Sequence, residues 1–191
     1  GGVTASRSKA PSAEAGGAGA AVGASAAASA SSGEGGKEAE PTEEVVQAVR
    51  RGVEAVVLAW LDGGGRVNAT FEYVFSDGPV SGMTLLMIAM AHGREGLAEA
   101  LLQRGADLEL QNSKGTTALS FAAVNGREKL VELALRHGAV IDQRSEFGNT
   151  ALINAAGEGY EKAVDAFIRH GAAIDLQDKN GTTALSRAAY Y

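Results

Sequence analysis

Apolar and polar positions along this chain follow a helical rhythm broken by glycines, and the whole phrase returns every 33 residues. After Gly115, Thr117 stands before Leu119, Ala122 and Ala123 at helical spacing, and Gly126 closes the run. The Thr117 hydroxyl can accept a bond from one of the first unpaired amides, so the pattern predicts a short helix capped by Thr117 and ended by Gly126. Arg127 and Glu128 open a second helix, in which Leu130, Val131, Leu133, Ala134 and Leu135 form a stripe too broad for one exposed surface. Gly138 suits the left-handed position just past its end. One such hairpin cannot cover both helix faces, so copies must stack on one another.

The same order of residues starts again at Gly82, Gly148 and Gly181. Residues 82–114 carry Thr84, Leu86, Ala89, Gly93, Leu101, Leu102 and Gly105. Residues 148–180 carry Thr150, Leu152, Ala155, Ala156, Gly159, Phe167, Ile168 and Gly171, and 181–191 begin a further copy with Thr183 and Leu185. Aligning Gly64 with Gly105 places Gly52 on Gly93 and defines a diverged first copy over 41–81, started by Thr42 with Glu43 and Glu44 in its first turn. Its interval of 41 is eight longer than 33, and the surplus lies between Asn68 and Gly82. There Phe71, Tyr73 and Phe75 alternate with Glu72, Val74 and Ser76, and Asp77-Gly78-Pro79 supplies turn chemistry, which predicts an elongated finger or small hairpin. Two readings of the three aromatics stay open: they pack onto the first two repeats, or they anchor a partner.

These residues resemble the ankyrin repeat, whose signature is a turn glycine, Thr-Pro-Leu-His, an Ala-Ala pair, a second glycine, a leucine-rich helix and Gly-Ala-Asp. The resemblance covers 41–191. Its Pro and His are missing, since the chain reads Thr84-Leu-Leu-Met, Thr117-Ala-Leu-Ser, Thr150-Ala-Leu-Ile and Thr183-Ala-Leu-Ser. Losing the proline removes pre-organisation at the first helical position, so a less rigid stack of the same fold is expected. The implied fold is an all-α solenoid of stacked helix-turn-helix units with short β-turn or hairpin fingers.

Composition changes the picture at the N-terminus. Residues 1–40 contain no Leu, Ile, Met or aromatic residue and consist mostly of Ala, Gly and Ser, too little apolar surface to offset chain entropy. A disordered low-complexity segment is expected there. Arg7 and Lys9 among Ser and Ala allow a transit peptide as the alternative. Gly17, Gly19 and Gly23 have the wrong spacing for a dinucleotide loop. A net charge of −6 and pI near 5.1 argue against a general nucleic-acid or anionic-membrane binder. The chain has no cysteine, hence no disulfide framework or thiolate ligand. Val45–Leu61 is interrupted by Arg50, Arg51 and Glu54, so no run suits a membrane span. Lacking cysteine and a secretory signal, the protein is expected inside the cell, cytoplasmic or nuclear, where Asn68-Ala69-Thr70 is no glycosylation site. The chain begins at Gly1 and stops after one helix of its last copy, which suggests part of a longer protein.

No catalytic constellation is apparent. His137 and His170 precede Gly138 and Gly171 in the last turn of the second helix, where an imidazolium suits the dipole, and neither has a carboxylate or thiol at ligand spacing. No enzyme, metal or cofactor is expected. The resemblance instead implies a monomer that binds a protein partner on a concave surface made of the turn tips and the outer face of each first helix. Carried over position by position, that surface offers Met83, Lys114, Phe147, Asn149 and Lys179 at the tips. On the first helices it offers Ile88, His92, Phe121, Asn125, Asn154, Glu158 and Arg187, joined by the finger aromatics Phe71, Tyr73 and Phe75. Phe121 and Phe147 are the foremost of these, as large apolar groups that packing does not require. An alternative is that the array recruits substrates for a larger enzyme, such as a kinase or ubiquitin ligase, whose catalytic part lies elsewhere.

Overall fold

The computed structural model describes residues 40–76 and 78–189. The expected disordered segment therefore lies, but for Glu40, outside the described residues, as do Asp77, Tyr190 and Tyr191. Helices α1 (Glu43–Arg51) and α2 (Glu54–Asp62) form the first hairpin, and strands β1 (Phe71–Phe75) and β2 (Gly78–Met83) form the finger. Three further hairpins follow: α3 (Leu85–His92) with α4 (Glu95–Gln103), α5 (Ala118–Val124) with α6 (Glu128–Arg136), and α7 (Ala151–Gly157) with α8 (Glu161–Arg169). Helix α9 (Ala184–Ala188) ends the described chain.

The odd-numbered helices share one start. Thr42, Thr84, Thr117, Thr150 and Thr183 are extended, and each hydroxyl accepts from the amide three residues on. The even-numbered helices have no side-chain cap and begin directly after a tight turn. Stacking then proceeds in two layers, α1 on α3 on α5 on α7 on α9, and α4 on α6 on α8. Ala89, Ala122, Ala123 and Ala155 are wholly buried where first helices meet, because only a methyl lets two backbones approach so closely. Leu86, Leu119 and Leu152 are buried between the layers, whereas their counterpart Leu185 is 78% exposed, since no second helix follows α9 among the described residues.

The turns between hairpins are tied to one another. Ser113 donates its amide to Ser81 O (2.8 Å), Glu146 to Lys114 O (2.9 Å) and Lys179 to Phe147 O (3.0 Å). Within a turn, Asn112 Oδ1 takes the amides of Lys114 and Thr116, and Asp178 Oδ1 takes those of Asn180 and Thr182. Strand β2 pairs antiparallel with β1, Phe71 opposite Met83 and Tyr73 opposite Val80, with an irregularity between Phe71 and Tyr73.

The finger decides between the two readings of its aromatics. Tyr73 is buried, and Phe71 and Phe75 pack against the common core. Burial raises the Tyr73 phenol pKa, outweighing the opposing charge of Arg50. Tyr73 meets Phe75 edge-on at 4.8 Å, and Phe75 stacks over Phe121 at 6.3 Å. The aromatics fix the finger onto the stack.

Gly115 and Gly138 separate two costs. Both are left-handed, at φ 68° and 84°. A Cβ on Gly115 would lie 2.7 Å from Glu146 N, while one on Gly138 would meet nothing. Gly138→Ala is expected to cost about 1 kcal/mol, the conformational penalty alone. Gly115→Ala should cost at least about 2 kcal/mol more, because the neighbouring turn must move. Urea unfolding of both variants checks the difference.

Candidate functional site

First helices α5 and α7 and the turn tips before them enclose a groove on one face of the stack, with a cavity volume of about 70 Å³. Phe75, Val80, Phe121, Val124 and Ile153 give its apolar part, and Phe147, 40% exposed, stands at its rim. Polar groups interrupt this lining. Asn149 is only 6% exposed, its Oδ1 is buried, and that oxygen accepts no hydrogen bond from the protein. Arg187 binds Asp178 Oδ2 through Nη2 at 3.0 Å, while its buried Nε donates to no protein group. Burial opposes ionisation of Asp178, but the amides of Thr182 and Asn180 and the Arg187 guanidinium outweigh it and hold the carboxyl below its ordinary pKa. The groove thus couples an aromatic floor to hydrogen-bonding groups that the fold leaves unused, an arrangement suited to recognition.

The family model for ankyrin repeats (3 copies) matches residues 45–145 and 129–191. The chain belongs to the ankyrin-repeat family. No curated protein matches the sequence. Ankyrin repeats are generally protein–protein interaction modules, and no described helix is long and apolar enough to cross a membrane. Among the described residues no group of His, Cys, Asp and Glu is placed to hold a metal ion.

Of the positions expected to face a partner, the ankyrin groove brings together Phe75, Lys114, Phe121, Phe147, Asn149, Asn154, Glu158 and Arg187. Met83, Ile88 and Tyr73 are not surface residues at all: each is buried to 1% or less. The turn glycine at 82 tucks Met83 beneath Asn112, whose Nδ2 donates to its sulfur, and Tyr73 and Ile88 join the common core. Phe121 also departs from expectation. It is 4% exposed because Phe75, carried by the eight extra residues of the finger, stacks on it. Packing therefore does require Phe121. Phe71 is half-buried against the core, Asn125 turns its carboxamide back onto Phe121 O at 2.8 Å, and Lys179 is exposed outside the groove. Asn112, Ser120, Ser145 and Ile153 are among the lining residues that the sequence did not single out. Asn112 and Ser145 share one repeat position with Asp178, and their recurrence as turn-capping side chains was the available signal.

His92 lies away from the groove, half-buried at the end of α3. Burial, then the charges of Arg50, Arg94 and Arg127, lower its pKa from 6.5 to about 4.

Two outcomes follow from these placements. Phe121→Ala should destabilise the protein by about 3 to 5 kcal/mol, while Phe147→Ala costs under about 1 kcal/mol; chemical denaturation separates them. In the unfolded chain His92 takes up its proton near 6.5, and in the folded protein only near 4. Between those values the unfolded state binds more protons, so stability falls as pH is lowered through that window. His92→Gln should flatten this part of the pH–stability profile, measured by urea midpoints in a pH series.

Proposed function

We propose that the ankyrin groove binds an extended segment of a protein partner, with Phe147 as the exposed aromatic anchor and Asn149 as the main polar contact. The observation that carries this reading is the Asn149 carboxamide, buried beside apolar side chains without a protein partner for its oxygen. A buried amide oxygen left unpaired costs about 1 to 3 kcal/mol, and a turn of the carboxamide toward the groove would let a peptide N–H recover it. Exposed aromatics at the rim of a partly apolar depression are the usual sites of binding energy. The mixed rim, with Lys114 near Glu158, suits a protein surface better than a phosphate backbone. In this reading residues 41–191 act as one recognition unit and carry no chemistry of their own.

Peptides selected from a random library against the whole chain provide the test. Phe147→Ala and Asn149→Ala should each weaken the selected peptides, the former by about 30-fold, as for a hot-spot aromatic. Ile168→Ala, at an exposed site outside the groove, should leave binding unchanged. Undiminished binding by both groove variants would show that the partner meets another face.

A further inference from the structure

A second feature of the stack is a cluster of cations at its first-repeat end. Arg94 and Arg127 hold equivalent positions just before α4 and α6. Each reaches back over the preceding repeat. Arg94 Nε donates to Arg50 O at 2.7 Å, Arg127 Nε donates to Ala91 O at 3.4 Å, and their stems cover Gly52 and Gly93. These bonds place a guanidinium at the negative end of a first helix, which accounts for Arg94 and Arg127 structurally. It does not account for Arg50. Its Nη1 donates to Gln47 Oε1 at 3.3 Å, and its charge acts on the same imidazole, His92, as the other two.

Arg94 and Arg127 thus lie over the ends of adjacent first helices, and their charges act together with that of Arg50 on the half-buried imidazole of His92. Among the described residues, carboxylates pair with Arg104, Arg169 and Arg187, but none pairs with Arg50, Arg94 or Arg127. Glu95 and Glu128, which lie beside Arg127, are paired with Lys129 and Lys162, so the three arginines keep their charge in a chain of net charge −6. Arg50 also occupies the repeat position that Val124 and Gly157 take farther along, and both of those line the groove. The cluster and the groove therefore belong to one continuous face.

We propose that Arg50, Arg94 and Arg127 dock the carboxylates of an acidic protein segment that continues from the groove along the first two repeats. This rests on the reading of that face as a protein-binding surface. Each arginine that spends Nε on a helix end keeps its η nitrogens for a carboxylate, the planar fork that such pairing uses. The overall negative charge works against collecting an extended polyanion from solution, so a short acidic stretch beside an apolar anchor is the occupant that fits both halves of the face.

The probe is a fluorescein-labelled hexaglutamate peptide titrated into the full 191-residue chain at low ionic strength and followed by anisotropy. Saturable binding is expected, weakening about tenfold in Arg50→Gln, the loss of one charge-assisted contact. Raising salt until the Debye length falls to about 8 Å should weaken it further. Arg50→Gln touches no helix cap, so its thermal unfolding should match that of the unsubstituted protein. Independently, the His92 ring signal by NMR should titrate at a higher pH when the peptide is bound, because carboxylates then offset the three cations. Unchanged affinity in Arg50→Gln, or an unmoved His92 titration, would overturn the proposal. So would tighter binding of a DNA oligonucleotide of equal charge, which would make the site a phosphate one. Failure of hexaglutamate alone leaves the Phe147-dependent groove standing, and loss of that dependence with hexaglutamate still bound removes the groove instead.

Discussion

None of these helices could stand alone. At five to nine residues each, they fall short of the length at which even a good helix former persists in water, so their stability comes from burial between repeats. Everything else answers to that stacking. The threonine caps fix where each first helix begins, and the alanines fix how near it lies to the next. The left-handed glycines turn the chain back so that the next copy arrives in register. The missing family proline is met in the same way: a threonine hydroxyl holding the amide three residues ahead sets the helix start without it.

The extended finger changes which residues remain available for recognition. A short turn would leave the outward positions of α3 and α5 open. Here Tyr73, Val80 and Met83 of the finger extend the core and Phe75 covers Phe121 of α5. The available surface shifts toward α5, α7 and the tips at 147 and 149, with Phe75 and Val80 of the finger in its lining. One insertion thus exchanges exposed apolar area for a sheltered groove.

The repeating frame was readable because it is local and periodic: caps, glycines and apolar stripes recur at one interval and each has a single physical use. Helix positions and the five threonine caps followed from that. Burial at Phe121 did not, because it depends on a segment that occurs once and whose path over the helices no periodicity encodes. The alternation of Phe71, Tyr73 and Phe75 indicated a hairpin, but not which face it would cover. Asn149 was anticipated as a tip residue. Its unmet oxygen was not, since pairing or its absence is a property of three-dimensional neighbours.

Charge is divided between the two sides of the stack by the same repeat geometry. On the second helices, side chains of adjacent repeats face each other with opposite sign, Glu95 with Lys129, Glu128 with Lys162 and Glu132 with Arg169, and His170 Nε2 hydrogen-bonds Glu132 as well. The His170 hydrogen bond, then the Arg169 contacts, outweigh desolvation and lower the Glu132 pKa. Such exposed pairs add little stability, but they leave that side locally neutral. The arginines before the second helices differ because their Nε atoms bind main-chain carbonyls instead of carboxylates. A carbonyl at a helix end supplies only a fraction of a charge, so these arginines keep most of theirs. The ladder that neutralises one side and the caps that fail to neutralise the other arise from the same 33-residue spacing.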